Sequence, residues 1–572
     1  MSRYFNLVVI FLLISSSTRG QQIFLDEDIS EWSQVQTQFV DPEGDSEGID
    51  LLSIKITNDD QFLYFLLEVN EEFDLQENND LVMYIDTDNN SETGTLKNGI
   101  GYEFEFRFGE RTGSFNGVTV SPYAVGLIGS PTVTSKTFEF KFDLETTIGE
   151  SSVFSSNKIA FFIESKSGNE FLPDEGSPAV YSFDLSSVYE SADFQLAKSP
   201  SVDYRVLSYN VRRDALFDTA LKEEYQRLIS AIQPDIIGFQ EVYQNSGQQA
   251  AQLVEEFLPS SEGETWYSGD TGTDNLIVSR YPIVMQETVS GNSVYLLDLG
   301  DYYVFTIVAH PPCCTNDNGR QNEIDAFMGF LRDSQNGMEF DIPENTPIII
   351  MGDMNLVGLR QQQTTLITGD IVNEGTYGPD FNPDWDGTAL DDTKANNPGL
   401  PTSFTWYSPN SSFGAGRLDY LMYSGSVLEL ENSFSLHTPS LPADSLTAYG
   451  LESLDTINAS DHIPLVADFS LKTSNSSEQD SGLPKSIRLH QNHPNPFNPS
   501  TSISFELNSS SKIRLSIYTL SGREVINLLD SQPYSAGFHT LSFDASELSS
   551  GVYFYRLISE NETITKKMTL IK

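Results

Sequence analysis

The chain has 572 residues with 82 acidic and 32 basic side chains, a net charge of −50. That length excludes a single ordinary core and predicts three or four domains. The charge favours solubility and disfavours non-specific attraction to polyanions. The two cysteines, Cys313 and Cys314, are adjacent, so no disulfide framework supports the fold.

At the N-terminus Arg3 precedes the apolar run Leu7–Ile14 and then Ser15-Ser16-Ser17-Thr18-Arg19-Gly20. This is the order of a secretory signal peptide, predicted over residues 1–20 and cut after Gly20. The run is too short to span a bilayer comfortably and no later stretch qualifies, so an exported chain with no transmembrane segment is expected.

Residues 22–198 carry 34 acids and 9 bases and read as all-β. Phe62–Leu67, Tyr102–Phe108, Lys136–Phe142 and Ile159–Ile163 are strand-like, and Tyr102–Phe108 alternates strictly, which predicts one buried face in a two-sheet sandwich. Leu25-Asp26-Glu27-Asp28-Ile29-Ser30-Glu31-Trp32 and Tyr84-Ile85-Asp86-Thr87-Asp88-Asn89-Asn90 resemble β-sandwich domains of the family-nine carbohydrate-binding type. The resemblance implies glycans as a partner. Asp86, Asp88 and Asn90 could hold Ca²⁺, although Asp and Asn also favour plain turns. Trp32 is the candidate aromatic for a sugar face, with a core position as the alternative.

Residues 203–472 carry 39 acids and 12 bases. Strand-like runs (Arg205–Ser208, Ile236–Phe239, Val304–Val308, Ile348–Met351) alternate with helical stretches such as Leu221–Ile232 and Gln321–Leu331. This predicts a four-layer α/β sandwich, two packed sheets flanked by helices. Polar islands are expected to end these runs: Tyr209-Asn210, Gln240-Glu241, His310, Gly352-Asp353-Met354-Asn355, Arg417-Leu418-Asp419-Tyr420 and Ser460-Asp461-His462. Amides, carboxylates and imidazoles at strand ends suit a hard divalent cation and attack on a phosphate ester. Glu241 supplies an anionic oxygen for Mg²⁺ or Mn²⁺, Asn210 holds the cation's shell through its amide oxygen, and Asp461 completes the site or its surroundings. Asp353 and Asn355, two apart, fall on one side of an extended segment. Asp353 can then orient and deprotonate water while Asn355 steers the water or a phosphate oxygen. His310 and His462 can donate to phosphate oxygens as charge builds, with Asp419 as the partner of His462. Arg280 is read either as a phosphate contact or as a structural arginine at the Tyr281-Pro282 turn.

With Ser279-Arg280-Tyr281-Pro282 included, these islands occur in the order of the endonuclease/exonuclease/phosphatase superfamily, which the segment resembles throughout. The resemblance implies a deoxyribonuclease I-like metal-dependent phosphodiesterase. It also implies a further carboxylate behind His310, which the sequence does not single out. Cys313 and Cys314 can close a vicinal disulfide or remain as two thiols. The main expectation is a secreted nuclease. A sphingomyelinase- or inositol-phosphatase-like enzyme is the alternative, and a non-catalytic adhesin the alternative from another class. The scattered bases of this segment form no stripe for duplex binding.

Residues 473–484 read as a polar linker. From 485 to 572, with 7 acids and 9 bases, a small immunoglobulin-like β-sandwich is expected. It contains Gln491-Asn492-His493-Pro494-Asn495-Pro496-Phe497-Asn498-Pro499, Ile513–Tyr518, Gly522–Val525, Ser549–Tyr555 and Lys566-Lys567-Met568. The succession resembles the C-terminal sorting domain of type IX secretion, which implies that machinery as a partner and a secreted or surface-attached product.

Overall fold

The computed structural model describes residues 23–191, 194–340, 342–472, 487–489, 492, 497–507, 510–519, 523–559 and 563–572. The predicted leader, the linker and parts of the Gln491–Pro499 and Gly522–Val525 motifs lie outside the described residues. Two compact units result, one holding the N-terminal sandwich and the central domain, the other the C-terminal β-domain.

The N-terminal part is the expected all-β sandwich. One sheet has the order Thr37–Val40, Leu51–Asn58, Phe62–Phe73, Ser135–Asp143 and Ile128–Ser130. The other runs Glu170–Leu172, Lys158–Ser165, Leu81–Asp86, Phe104–Arg107, Thr112–Phe115 and Val118–Val120, with Ala179–Ser182 on Lys158–Ser165. The alternation of the predicted strand works as expected: Phe104, Phe106 and Phe108 are buried while Glu105 and Arg107 are not. Between the sheets, rings interlock, Phe65 stacking on Phe140 at 5.1 Å and meeting Phe161 edge-on at 5.5 Å. Trp32 is 1% exposed and donates its indole N–H to Glu139 at 2.7 Å, so it belongs to the core.

The central domain has the four predicted layers. Its first sheet runs Tyr267–Asp270, Leu276–Ser279, Ile236–Gln240, Tyr204–Asn210, Leu465–Leu471 and Leu428–Ser435. The second runs Ile283–Val289, Asn292–Asp298, Tyr303–Ala309, Ile348–Asp353, Asp419–Tyr423 and Asp391–Asp392. Val206, Ile277, Val308, Ile349, Met351 and Leu421 fill the space between them. The sheets approach so closely at Gly238 that a Cβ there would stand 2.8 Å from Met351 Cε. Helix Lys222–Ile232 buries Tyr225, Leu228, Ile229 and Ile232, a spacing that makes one apolar stripe. It covers the first sheet together with Gly247–Phe257. Helices Asp317–Gln335 and Arg360–Thr368 cover the second sheet.

The sandwich is not a bead on a string. Val133, from the sandwich, is fully buried in the central core with Leu356, Leu390 and Tyr420. Beside it Thr132 Oγ1 donates to the carbonyls of Leu356 (2.7 Å) and Arg417 (3.0 Å), and Thr134 N donates to Gly358 O at 2.8 Å. Leu25 bridges to Thr402, and Tyr123 packs edge-on against Tyr407 at 4.9 Å.

In the C-terminal unit a sheet of Ile487–Leu489, Ser500–Leu507 and Gly537–Asp544 accompanies one of Glu524–Tyr534, Ser511–Thr519, Gly551–Ile558 and Thr563–Leu570. Ile503, Phe505, Ile517, Tyr555 and Met568 form its core.

Candidate active site

Strand direction gathers the site. Tyr204–Asn210 and Ile236–Gln240 are parallel, as are Tyr303–Ala309 and Ile348–Asp353, so Asn210, Glu241, His310 and Asp353 follow or end strands at one rim. Asp419–Tyr423 and Leu465–Leu471 run antiparallel to their neighbours. Asp419 and His462 therefore reach the same rim by opening strands, not by closing them as the sequence pattern suggested. Gly352 has φ +146°, and a Cβ there would lie 1.9 Å from Ala309 O, so only glycine lets Asp353 follow at this point.

Three donors converge on one oxygen. Asp353 Oδ2 lies 3.0 Å from Asn210 Nδ2, 3.6 Å from His310 Nε2 and 3.5 Å from His462 Nε2. Each imidazole is backed by a carboxylate: His310 Nδ1 meets Asp274 Oδ2 at 2.7 Å and His462 Nδ1 meets Asp419 Oδ2 at 2.8 Å. Burial opposes charge on His310, but the hydrogen bond to Asp274 and the fields of Asp353 and Glu241 prevail and raise it to about 9. For His462 burial again opposes, and Asp419 and Asp353 outweigh it, raising the ring to about 10. Both rings therefore face Asp353 as protonated donors at neutral pH.

Asp274 is the residue the sequence reading missed. It stands two residues before Leu276, where strand Leu276–Ser279 opens; that strand runs antiparallel to Ile236–Gln240 and so begins at the site's rim. The signal lies in polar residues that precede an apolar run, since an antiparallel strand begins at the rim where its parallel neighbours end. The same polarity corrects Arg280. It follows that strand and so lies at the opposite rim, over Trp266 at 3.9 Å, donating to Ser260 Oγ at 2.7 Å and Leu258 O at 3.3 Å. It is a structural arginine, and the structure does not bring it to the phosphate site.

The remaining residues cluster as follows. Glu241, at φ +63°, accepts from Asn210 Nδ2 (3.2 Å) and Arg213 N (2.9 Å), and its carboxylate lies 4.0 Å from His310 Nε2. Asn210 turns its amide nitrogen to the carboxylates while its oxygen accepts from Arg212 N at 2.9 Å, the reverse of the expected orientation. Asn355 donates from Nδ2 to Pro311 O at 3.0 Å and from its backbone to Asp353 Oδ1 at 3.0 Å, tying the His310 loop to the Asp353 strand. That loop continues into Cys313 and Cys314, whose sulfurs are joined, and Arg320 clasps Pro312 O (2.8 Å) and Cys314 O (3.3 Å) from below. Asp461 is part-exposed and stands 3.8 Å from the guanidinium of Arg212. A cavity of about 480 Å³ lies alongside, lined by Arg212, Arg213, Asp214, Gln244 and Asn245 among others.

Glu241, His310 and Asp353 bring ligand atoms within 4.8 Å of one another, as do Asp353, Asp419 and His462. With both rings already engaged through Nδ1, the free donors are chiefly carboxylate oxygens, a set that fits a hard divalent cation. Among the sandwich residues, Asp86 and Asp88 lie together with Glu103, and Asn90 stands beside them, its backbone N donating to Asp86 Oδ1 at 2.9 Å and its side-chain oxygen accepting from Glu92 N at 3.2 Å.

Residues 207–462 match the Endonuclease/Exonuclease/phosphatase family, and residues 492–572 match the secretion system C-terminal sorting domain. The central domain thus belongs to that phosphoesterase family. The C-terminal domain marks the chain for type IX secretion and the cell surface. Among solved structures the chain is similar to the human Nocturnin catalytic domain with bound sulfate (16% identity, 50% of this chain and 97% of that one, TM-score 0.30). It is also similar to D. rerio TDP2 complexed with single-strand DNA product (13%, 47% and 98%, 0.31). A third is an endonuclease/exonuclease/phosphatase from Beutenbergia cavernae DSM 12333 (15%, 64% and 100%, 0.29). No curated protein matches the chain. No helix among the described residues is long and apolar enough to cross a membrane.

Proposed function

We propose that the protein is a secreted, divalent-metal-dependent phosphodiesterase acting on nucleic acid. The observation that carries this is the convergence of two carboxylate-backed imidazoles on Asp353 beside Glu241. Glu241, with Asp353 adjacent, would hold Mg²⁺ or Mn²⁺, which supplies charge neutralisation at a phosphoryl oxygen when bound. Asp353 Oδ2 takes the proton of the attacking water as its oxygen bonds to phosphorus and the P–O bond to the leaving oxygen breaks, that oxygen taking a proton from solvent; the protonated Nε2 groups of His310 and His462 donate to the non-bridging oxygens as charge develops. Asn210 fixes the two carboxylates relative to each other, Asn355 anchors the His310 loop, and Asp461 adds to the field that keeps His462 charged. The cavity lined by Arg212 and Arg213, whose backbones already touch Asn210 and Glu241, balances those two guanidinium groups with Asp214 and Asp218, and it offers room and arginine donors, not net charge, for a neighbouring nucleotide of a polymer. This favours a nucleic acid over a single-phosphate lipid.

The test is a substrate panel of duplex and single-stranded DNA, RNA, sphingomyelin and inositol phosphates with Mg²⁺, Mn²⁺ or EDTA. Nucleic-acid cleavage that needs the metal and drops by about 10²–10⁴-fold in Asp353→Asn is expected. Hydrolysis of lipid but no nucleic acid overturns the substrate, and full activity in EDTA overturns the metal.

A further inference from the structure

Far from the phosphoesterase centre, four carboxylates of the sandwich meet. Asp41, Asp45 and Asp50 come from the loop joining strands Thr37–Val40 and Leu51–Asn58, and Glu170 opens strand Glu170–Leu172 of the opposite sheet. Each offers an oxygen within 4.8 Å of the others. Three are buried: Asp50 is 1% exposed, Glu170 8% and Asp41 9%. Among the described residues no lysine, arginine or histidine forms an ion pair with any of them.

The hydrogen bonds of this cluster are incomplete in a particular way. Asp50 Oδ2 accepts from Gly44 N at 2.7 Å and Glu170 Oε1 accepts from Leu51 N at 2.6 Å. Their second oxygens, Asp50 Oδ1 and Glu170 Oε2, are buried with no partner. Buried carboxylate oxygens without a donor are costly, and placing several together multiplies the cost unless a cation joins them. The backbone donors fix one oxygen of each group and leave the other free.

We propose that Asp41, Asp45, Asp50 and Glu170 bind a calcium ion that staples the two sheets of the sandwich together. Calcium takes six to eight oxygens at about 2.3–2.6 Å, so opposite ligands stand about 5 Å apart, which the mutual spacing of these oxygens accommodates. Part-exposed Glu or Asp alone would not require an ion; the unpartnered buried oxygens on two different sheets do. The site is separate from the cluster of Asp86, Asp88 and Glu103, where only one buried oxygen, Glu103 Oε1, lacks a partner and all three residues belong to one sheet and the loop beside it. Secretion exposes the chain to calcium at the roughly millimolar level such extracellular sites need.

The full mature chain, stripped with EDTA, is to be dialysed against radioactive calcium and melted with and without the ion. The wild type is expected to melt higher with calcium and to bind one more ion than Asp50→Asn or Glu170→Gln, while Asp86→Asn retains that ion. Should the buried variants fail to fold, Asp45→Asn, at an exposed ligand, is expected to weaken the same binding event by about tenfold. Equal stoichiometry and affinity in the wild type and in Asp45→Asn overturn the proposal, as does a wild type that binds no calcium outside the phosphoesterase centre, judged with Glu241→Gln.

Discussion

At the residue scale the site is two imidazole–carboxylate couples aimed at one acid, and the couple through Asp274 is the more informative. Asp274 touches no substrate in this arrangement; it positions His310 and keeps it charged. Asp274→Asn removes one of the charges that outweigh burial, leaving Asp353 and Glu241 to hold the ring up, so its pKa falls below the wild type's value of about 9. Turnover is expected to fall by about 10²-fold, with the alkaline limit of activity moving to lower pH than in the wild type. A pH–rate profile checks this, since a merely destabilised variant would lose rate at every pH alike. His437 shows the opposite case. Buried against Phe404 and Tyr407, with Nε2 unpartnered, it is pushed down to about 3 by burial. The folded state refuses a proton that the unfolded chain takes up below about 6.5, so its stability is full above that pH and falls as the pH drops. The loss is about 2 kcal/mol at pH 5. Urea denaturation at about pH 5 and about pH 8 should show that His437→Leu lacks this part of the acid sensitivity. Residue identities at the site were legible because polar groups interrupt apolar runs at Asn210, Glu241, His310 and Asp353. Asp274 was not, because nothing in a single run tells which rim its strand begins at.

At the element scale, strand polarity decided what the sequence could not. Ile348–Asp353 and Tyr303–Ala309 read correctly as buried strands because they are continuously apolar, as parallel strands covered on both faces must be. Whether a neighbour runs parallel or antiparallel depends on a crossover connection, not on local pattern, and this left Arg280 open between the phosphate and the structural role it has. The acidic turn at Asp86, Asp88 and Asn90 gains a further carboxylate in the same way: Glu103 comes from beyond the next hairpin, and no local spacing encodes that pairing. The segment Thr132–Thr134 is the element that joins sandwich to catalytic domain. Val133→Ala is expected to cost about 2 kcal/mol. Differential scanning calorimetry should show the sandwich and the central domain melting together in the wild type and both shifting down in the variant.

At the scale of the whole molecule, the fold classes followed from periodicity, whereas the union of the sandwich with the central region did not. Contacts such as Thr132 with Arg417 or Leu25 with Thr402 span hundreds of residues and leave no mark on either local pattern. Arg417, two residues before Asp419, is buried between Asp392 and Glu27, so a carboxylate of the N-terminal segment steadies the strand that carries the His462 partner. The acidity shared by both domains adds long-range repulsion that salt screens. The gathering of all the reacting groups at one rim of the paired sheets leaves the other rim without chemistry. There the hairpin at Gly300 is exposed, with open space around its Cα, close to the turn that Arg280 and Pro282 shape. A tether, dye or affinity tag spliced in at Gly300 would fix the protein to a bead or sensor surface with its mouth facing the solution.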